Sequence, residues 1–147
     1  MSAQTIHQLF DIALWLAGAG HFILPIAGVQ IPHRFHWKED LAKLMPMNRK
    51  LLWTYGAFTM MTVVAFGALT LALHDELLRG DRAALGLALF IGLFWVARII
   101  VDFAYHTHTD WPKGWQFVVG HILLTALFFT LGATYLGLFV WHVRLKE

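Results

Sequence analysis

The chain has no cysteine. That removes disulfides, thiolate metal ligands, iron–sulfur clusters and a thiol nucleophile together, so any metal must be held by imidazole, carboxylate, thioether or backbone oxygen. Charge is scarce too: 14% of the 147 residues are Asp, Glu, Lys or Arg, where a soluble domain has about a quarter. Glutamate is confined to Glu39, Glu76 and Glu147, all outside the apolar runs, which disfavours a di-iron bundle built on several in-span glutamates. The opening MSAQTIHQLF has no Lys or Arg to form the basic start of a secretory signal, so the first apolar run is expected to be a true span. The longest polar connection, Gln30 to Lys50, is too short for a soluble domain. The net charge of +2 is spread over loops and tail, which gives no basis for nucleic-acid binding.

Apolar residues are abundant, at 59% of the chain. Four runs, about 9–29, 51–73, 83–105 and 115–141, each match the roughly 20 helical residues that cross a hydrocarbon layer about 30 Å thick, and the third is read on to about residue 108. The expected fold is all-α: an integral membrane four-helix bundle, one domain over residues 1–147, embedded in the lipid bilayer. Four spans put both termini and the loop His74 to Arg82 at one membrane face, here face A, and the other two loops at face B. Face A carries Arg79, Arg82, Arg144 and Lys146, and face B carries Arg34, Lys38, Lys43, Arg49, Lys50 and Lys113, a small excess that leans the termini toward the extracytoplasmic side.

Local signals fill in the connections. Pro25 lacks an amide proton and crowds the carbonyl of His21, so a kink is expected there. The stretch from Gln30 reads as an extended start, then a short interfacial helix around Trp37 to Leu44, ended by Pro46. HDELLRGDR reads as a tight turn with Gly80 as a helix stop. THTDWPKGW carries turn chemistry at Asp110 and Pro112 and interfacial rings at Trp111 and Trp115.

Nine histidines in so apolar a chain ask for an explanation. At 1.5 Å per residue, His21 falls about 12 Å inside the face-B end of its span, His121 about 10 Å and Asp102 about 9 Å. His7, Asp11, Gly18, His21 and Pro25 share one helical stripe; so do His121, Thr125, Phe128, Gly132, Tyr135 and His142 on the fourth span. Arg98, Asp102 and His106 follow at intervals of four, and Tyr55, Thr59 and Thr62 form a shorter stripe on the second span. Lipid cannot bond to such groups, so the stripes are expected to converge on the bundle axis.

Neutral imidazoles plus one carboxylate suit divalent iron, copper, zinc or manganese, which makes His21, Asp102, His106 and His121 a candidate metal set. His21 and His121, each preceded by a glycine, alternatively suit the axial positions of a single b-type haem. In the metal form His21, His106 and His121 are ligands, Asp102 is the fourth ligand or a proton carrier, Arg98 tunes it or binds an anionic substrate group, and Tyr55 and Tyr105 are donors at the mouth. The bland alternatives are an Arg98–Asp102 ion pair with no further purpose and a His21 that only bonds a neighbouring helix. The expected function is redox chemistry on a lipid-soluble substrate, or electron transfer. A proton, metal-ion or solute pathway is a second possibility, weakened by the apolar stretches VVAFGAL and LALFIGLF, and a non-catalytic subunit of a larger membrane complex or a homo-oligomer is a third. His7, His74 and His142, with Asp11 and Glu76, form a possible second cluster at face A.

Overall fold

A computed structural model describes residues 2–34, 36–105 and 114–145. Among them are six helices and no strand: α1 (Ala3–Arg34), α2 (Trp37–Ala42), α3 (Pro46–Ala72), α4 (His74–Arg79), α5 (Arg82–Tyr105) and α6 (Trp115–Arg144). Helices α1, α3, α5 and α6 are each long and apolar enough to cross a membrane. Their outward side chains, such as Ile12, Leu16, Ile23, Met61 and Leu93, are apolar and suit contact with lipid chains. End A of the fold carries the termini and α4, and end B carries α2.

Three local readings differ from expectation. Helix α1 does not break at Gln30 but runs through Pro25 and Pro32 to Arg34. Each proline forfeits one backbone hydrogen bond, and at Pro25, inside the apolar run, leaving helical geometry would orphan several. His36 then makes the turn in left-handed geometry (φ 50°, ψ 36°). Pro46 opens α3 rather than closing α2, since its fixed φ and missing N–H suit the first helical position. The short helix itself falls at Trp37–Ala42, with Leu41 buried and Trp37 set edge-on against Trp53 at 5.7 Å.

The turn after α3 is a full helical turn, α4, rather than a bare loop. Gly80 ends it at φ 73°: its N–H bonds the Leu77 carbonyl (3.2 Å), and the Asp81 N–H reaches back to Glu76 (3.1 Å). This is the paired bonding of a Schellman stop, which needs a residue tolerant of positive φ. A side chain at Gly80 would also run into the His142 ring.

Backbone packing joins α1 to α3, α5 to α6 and α1 to α6. Gly67 permits the α1–α3 approach: a Cβ there would lie 2.9 Å from the Gly18 carbonyl oxygen and from the His21 Cβ. Helices α3 and α5 meet through rings, with Phe66 against Phe90 (5.8 Å) and Phe94 (5.1 Å). The continuous core, including Leu14, Phe66, Leu77, Ile91, Trp95, Leu131 and Leu138, occupies the middle and end A. Toward end B the packing opens, and α3 is exposed from residue 51 to residue 59.

Candidate functional site

Polar side chains gather at three levels. Toward end B, Arg98 and Asp102 stand one helical turn apart on α5, and His121 and Thr125 do the same on α6, so two helices present four polar groups to each other. The Asp102 side chain is 5% exposed and accepts a hydrogen bond from Arg98 Nη1 at 3.1 Å. On its other oxygen, Thr125 Oγ1 donates at 3.5 Å and His121 Nε2 lies at 3.8 Å. The guanidinium of Arg98 rests over the Phe128 ring, 5.1 Å from its centroid. Arg98 and His121 stay partly accessible, at 38% and 24% of their side chains, while the carboxylate between them is enclosed.

His21 occupies the middle level and is fully buried. Its Nδ1 lies 2.7 Å from the Ala17 carbonyl oxygen, and Trp95 Nε1 lies 3.1 Å from its Nε2. An indole N–H can only donate, so Nε2 is the acceptor and the ring proton sits on Nδ1, donated to Ala17. Both nitrogens of a neutral imidazole are thereby engaged. Phe66 (6.0 Å) and Tyr135 (5.8 Å) close around the ring from α3 and α6. Beside it, Thr70 Oγ1 donates to the Phe66 carbonyl at 2.7 Å, which leaves Tyr135 to donate to Thr70 at 2.6 Å.

At end A, His74 is buried where α3 turns into α4. Its Nε2 lies 3.2 Å from Asp11 Oδ1, its Nδ1 lies 3.4 Å from Asp75 Oδ1, and Trp15 covers the ring at 4.7 Å. His7 and His142 both pack on Trp141 (6.2 and 4.6 Å), and Glu76 faces Arg79 at 3.4 Å.

The structure therefore brings Arg98, Asp102 and His121 together and holds His21 apart from them. His21 bonds Trp95, which stacks on Phe128, seven positions after His121 on α6, about 10 Å along a helix axis. The expected common depth assumed a first span ending near residue 29; with α1 running on to Arg34, His21 lies about 20 Å from the helix end instead of 12. Tyr55 stands on the exposed face of α3. His106 and the side chain of Tyr105 lie outside the described residues, as do Asp110, Trp111 and Pro112.

For a metal, Asp102 and His121 are two donors of suitable type, and among the described residues no group of three or more His, Asp or Glu is arranged to hold a metal ion. His21 has no ring nitrogen to offer while Ala17 and Trp95 hold it, whether to a metal or to haem. The sequence reading overlooked Trp95 and Thr70. A tryptophan in mid-span, within LFWVAR, was a signal: tryptophans favour membrane interfaces, and one buried in a span must find an acceptor for its N–H.

No family model, curated protein or solved structure matches the chain.

Proposed function

We propose that the chain is an integral membrane protein that binds a lipid-soluble molecule at the Arg98–Asp102–His121 site and exchanges protons with it, as membrane redox chemistry requires. The observation that carries this reading is the build of the site: an enclosed carboxylate flanked by an accessible guanidinium and an accessible imidazole, within helices otherwise composed for lipid. Charged groups at such positions are costly and default to function. Asp102 holds Arg98 in place and lies beside His121, so that one carboxylate stands between a guanidinium and an imidazole. His121 is the group that takes up or releases the proton, and Arg98 and Thr125 steady the carboxylate behind it. A transition metal at this site would have Asp102 and His121 as ligands and would supply Lewis acidity or redox chemistry.

The test is an organic extract of the purified protein, compared with extracts of Asp102→Asn and His121→Ala. The reading expects a lipophilic compound enriched with wild type and depleted in both variants. Equal extracts from three folded proteins would refute it.

A proton path through the bundle is a second reading, favoured by one observation. The Thr70–Tyr135 and His21–Trp95 pairs occupy the apolar middle between the Asp11–His74 and Asp102–His121 ends. It expects proton flux in liposomes that falls in both Asp11→Asn and Asp102→Asn.

A further inference from the structure

We infer that end B is a docking surface for anionic phospholipid head groups, seated in the more negative leaflet of the membrane, which puts the termini at the opposite face. This is independent of what the Arg98–Asp102–His121 site takes.

Charge is the first observation. The connection from α1 to α3 and its flanks carry Arg34, Lys38, Lys43, Arg49 and Lys50 against Glu39 and Asp40. Lys43 and Asp40 pair at 2.8 Å, which leaves Arg34, Lys38, Arg49 and Lys50, all exposed, against Glu39. The other connection at end B adds Asp110 and Lys113, which sum to zero. At end A the balance tips the other way, with Asp11, Asp75, Glu76, Asp81 and Glu147 against Arg79, Arg82, Arg144 and Lys146.

Level is the second. Tryptophan and tyrosine collect at the boundary between hydrocarbon and head groups. At end B, Trp53, Tyr55 and Trp115 are exposed, and Trp37 of α2 sits edge-on to Trp53 at 5.7 Å, an approach that with the buried Leu41 pins α2 against its neighbours. The cations stand at this level or just outside it. Arg49 and Lys50 precede Trp53 by four and three positions, about 5 Å along α3. Lys38 follows Trp37, and Arg34 Nη1 donates to Gln116, next to Trp115, at 3.4 Å. Helices α1, α2 and α3 thus bring guanidinium and ammonium groups to the depth of lipid phosphates.

The residues between the cations are the third. Leu44, Met45 and Met47 are exposed between Lys43 and Arg49. Apolar side chains there enter the edge of the hydrocarbon while the cations reach phosphate, the pattern of binding to an anionic bilayer surface. An acidic soluble protein or a nucleic acid would use the cations alone.

The experiment uses the full-length protein in phosphatidylcholine vesicles holding a trace of spin-labelled phosphatidylglycerol or, separately, of spin-labelled phosphatidylcholine, and reads the motionally restricted fraction of each label by electron paramagnetic resonance. We expect the glycerol lipid to associate about fivefold more strongly, the share of one cation near an anionic head group. The preference should vanish when salt is raised from about 0.1 M to about 1 M, where the Debye length is about 3 Å. The variant Lys38→Gln/Arg49→Gln/Lys50→Gln should lose the preference, and Arg82→Gln/Arg144→Gln should keep it. Equal restriction of both labels by folded wild type would overturn the proposal, and so would a preference that survives high salt. A preference kept by the end-B variant, or lost from the end-A variant, would overturn the placement. Its removal by inorganic phosphate at matched ionic strength would overturn the lipid surface in favour of a phosphate pocket. Should the triple variant fail to fold by circular dichroism, Lys38→Gln and Lys50→Gln, made singly, should each lower the preference; full preference in both would overturn the placement.

Discussion

Replacing His21 by leucine removes the acceptor of a buried indole N–H without changing side-chain volume much. Trp95 Nε1 then loses its acceptor in a buried interior beside Phe94 and Phe128. An unsatisfied buried polar group costs about 1–3 kcal/mol. Trp95→Phe makes the reciprocal defect, an orphaned Nε2 lone pair on His21, and adds the loss of packing of the larger ring. The double variant loses donor and acceptor together, so its cost should fall short of the sum of the singles. Interhelical hydrogen bonds in membranes couple by about 0.6 kcal/mol on average and up to about 1.7; a bond of 3.1 Å on a fully buried ring belongs in the upper half of that range. The assay is unfolding by SDS in mixed micelles, followed by far-ultraviolet circular dichroism, over all four proteins of the cycle. Strict additivity would refute the bond and with it the assignment of the His21 proton to Nδ1.

Other substitutions test separate parts of the fold. Gly67→Ala presses a methyl against the Gly18 carbonyl and the His21 Cβ, and should cost about 1–3 kcal/mol in the same unfolding assay. Gly80→Ala puts a side chain at φ 73° and against the His142 ring, so it should lower stability by about 1 kcal/mol for the backbone alone and more for the contact. Tyr135→Phe removes one hydroxyl but leaves Thr70 bonded to the Phe66 carbonyl, so its cost should stay near 0.5–1.5 kcal/mol, smaller than that of either glycine change. Asp102→Leu strips the partner from Arg98 and should destabilise more than Asp102→Asn, which keeps an acceptor for Arg98 Nη1; equal melting temperatures would contradict the pairing.

The parts of the fold that follow from chain-local chemistry were legible in the sequence. Apolar run length marked the four long helices, amphipathic spacing marked a short helix around Trp37 to Leu44 where the structure has Trp37–Ala42, and the glycine after a polar turn marked the stop at Gly80. The register between helices was not legible, because it depends on where each helix ends. The stretch from Gln30 read as extended, yet α1 continues to Arg34, and that displaces His21 from the level of His121 to contact with Trp95. The Arg98–Asp102–His121 grouping survived because its members lie on helices joined by the short third connection, where an error in one end shifts both partners little. Trp95 and Thr70 went unnoticed because an apolar run conceals a side chain whose polar atom is a single N–H or hydroxyl.

The most direct test of the central claim is native mass spectrometry of the protein released from its own membrane. The account predicts wild-type protein carrying one lipophilic molecule and Asp102→Asn protein largely without it. Wild-type protein that flies bare, or a variant equally loaded, would contradict the assignment of a binding site to Arg98, Asp102 and His121.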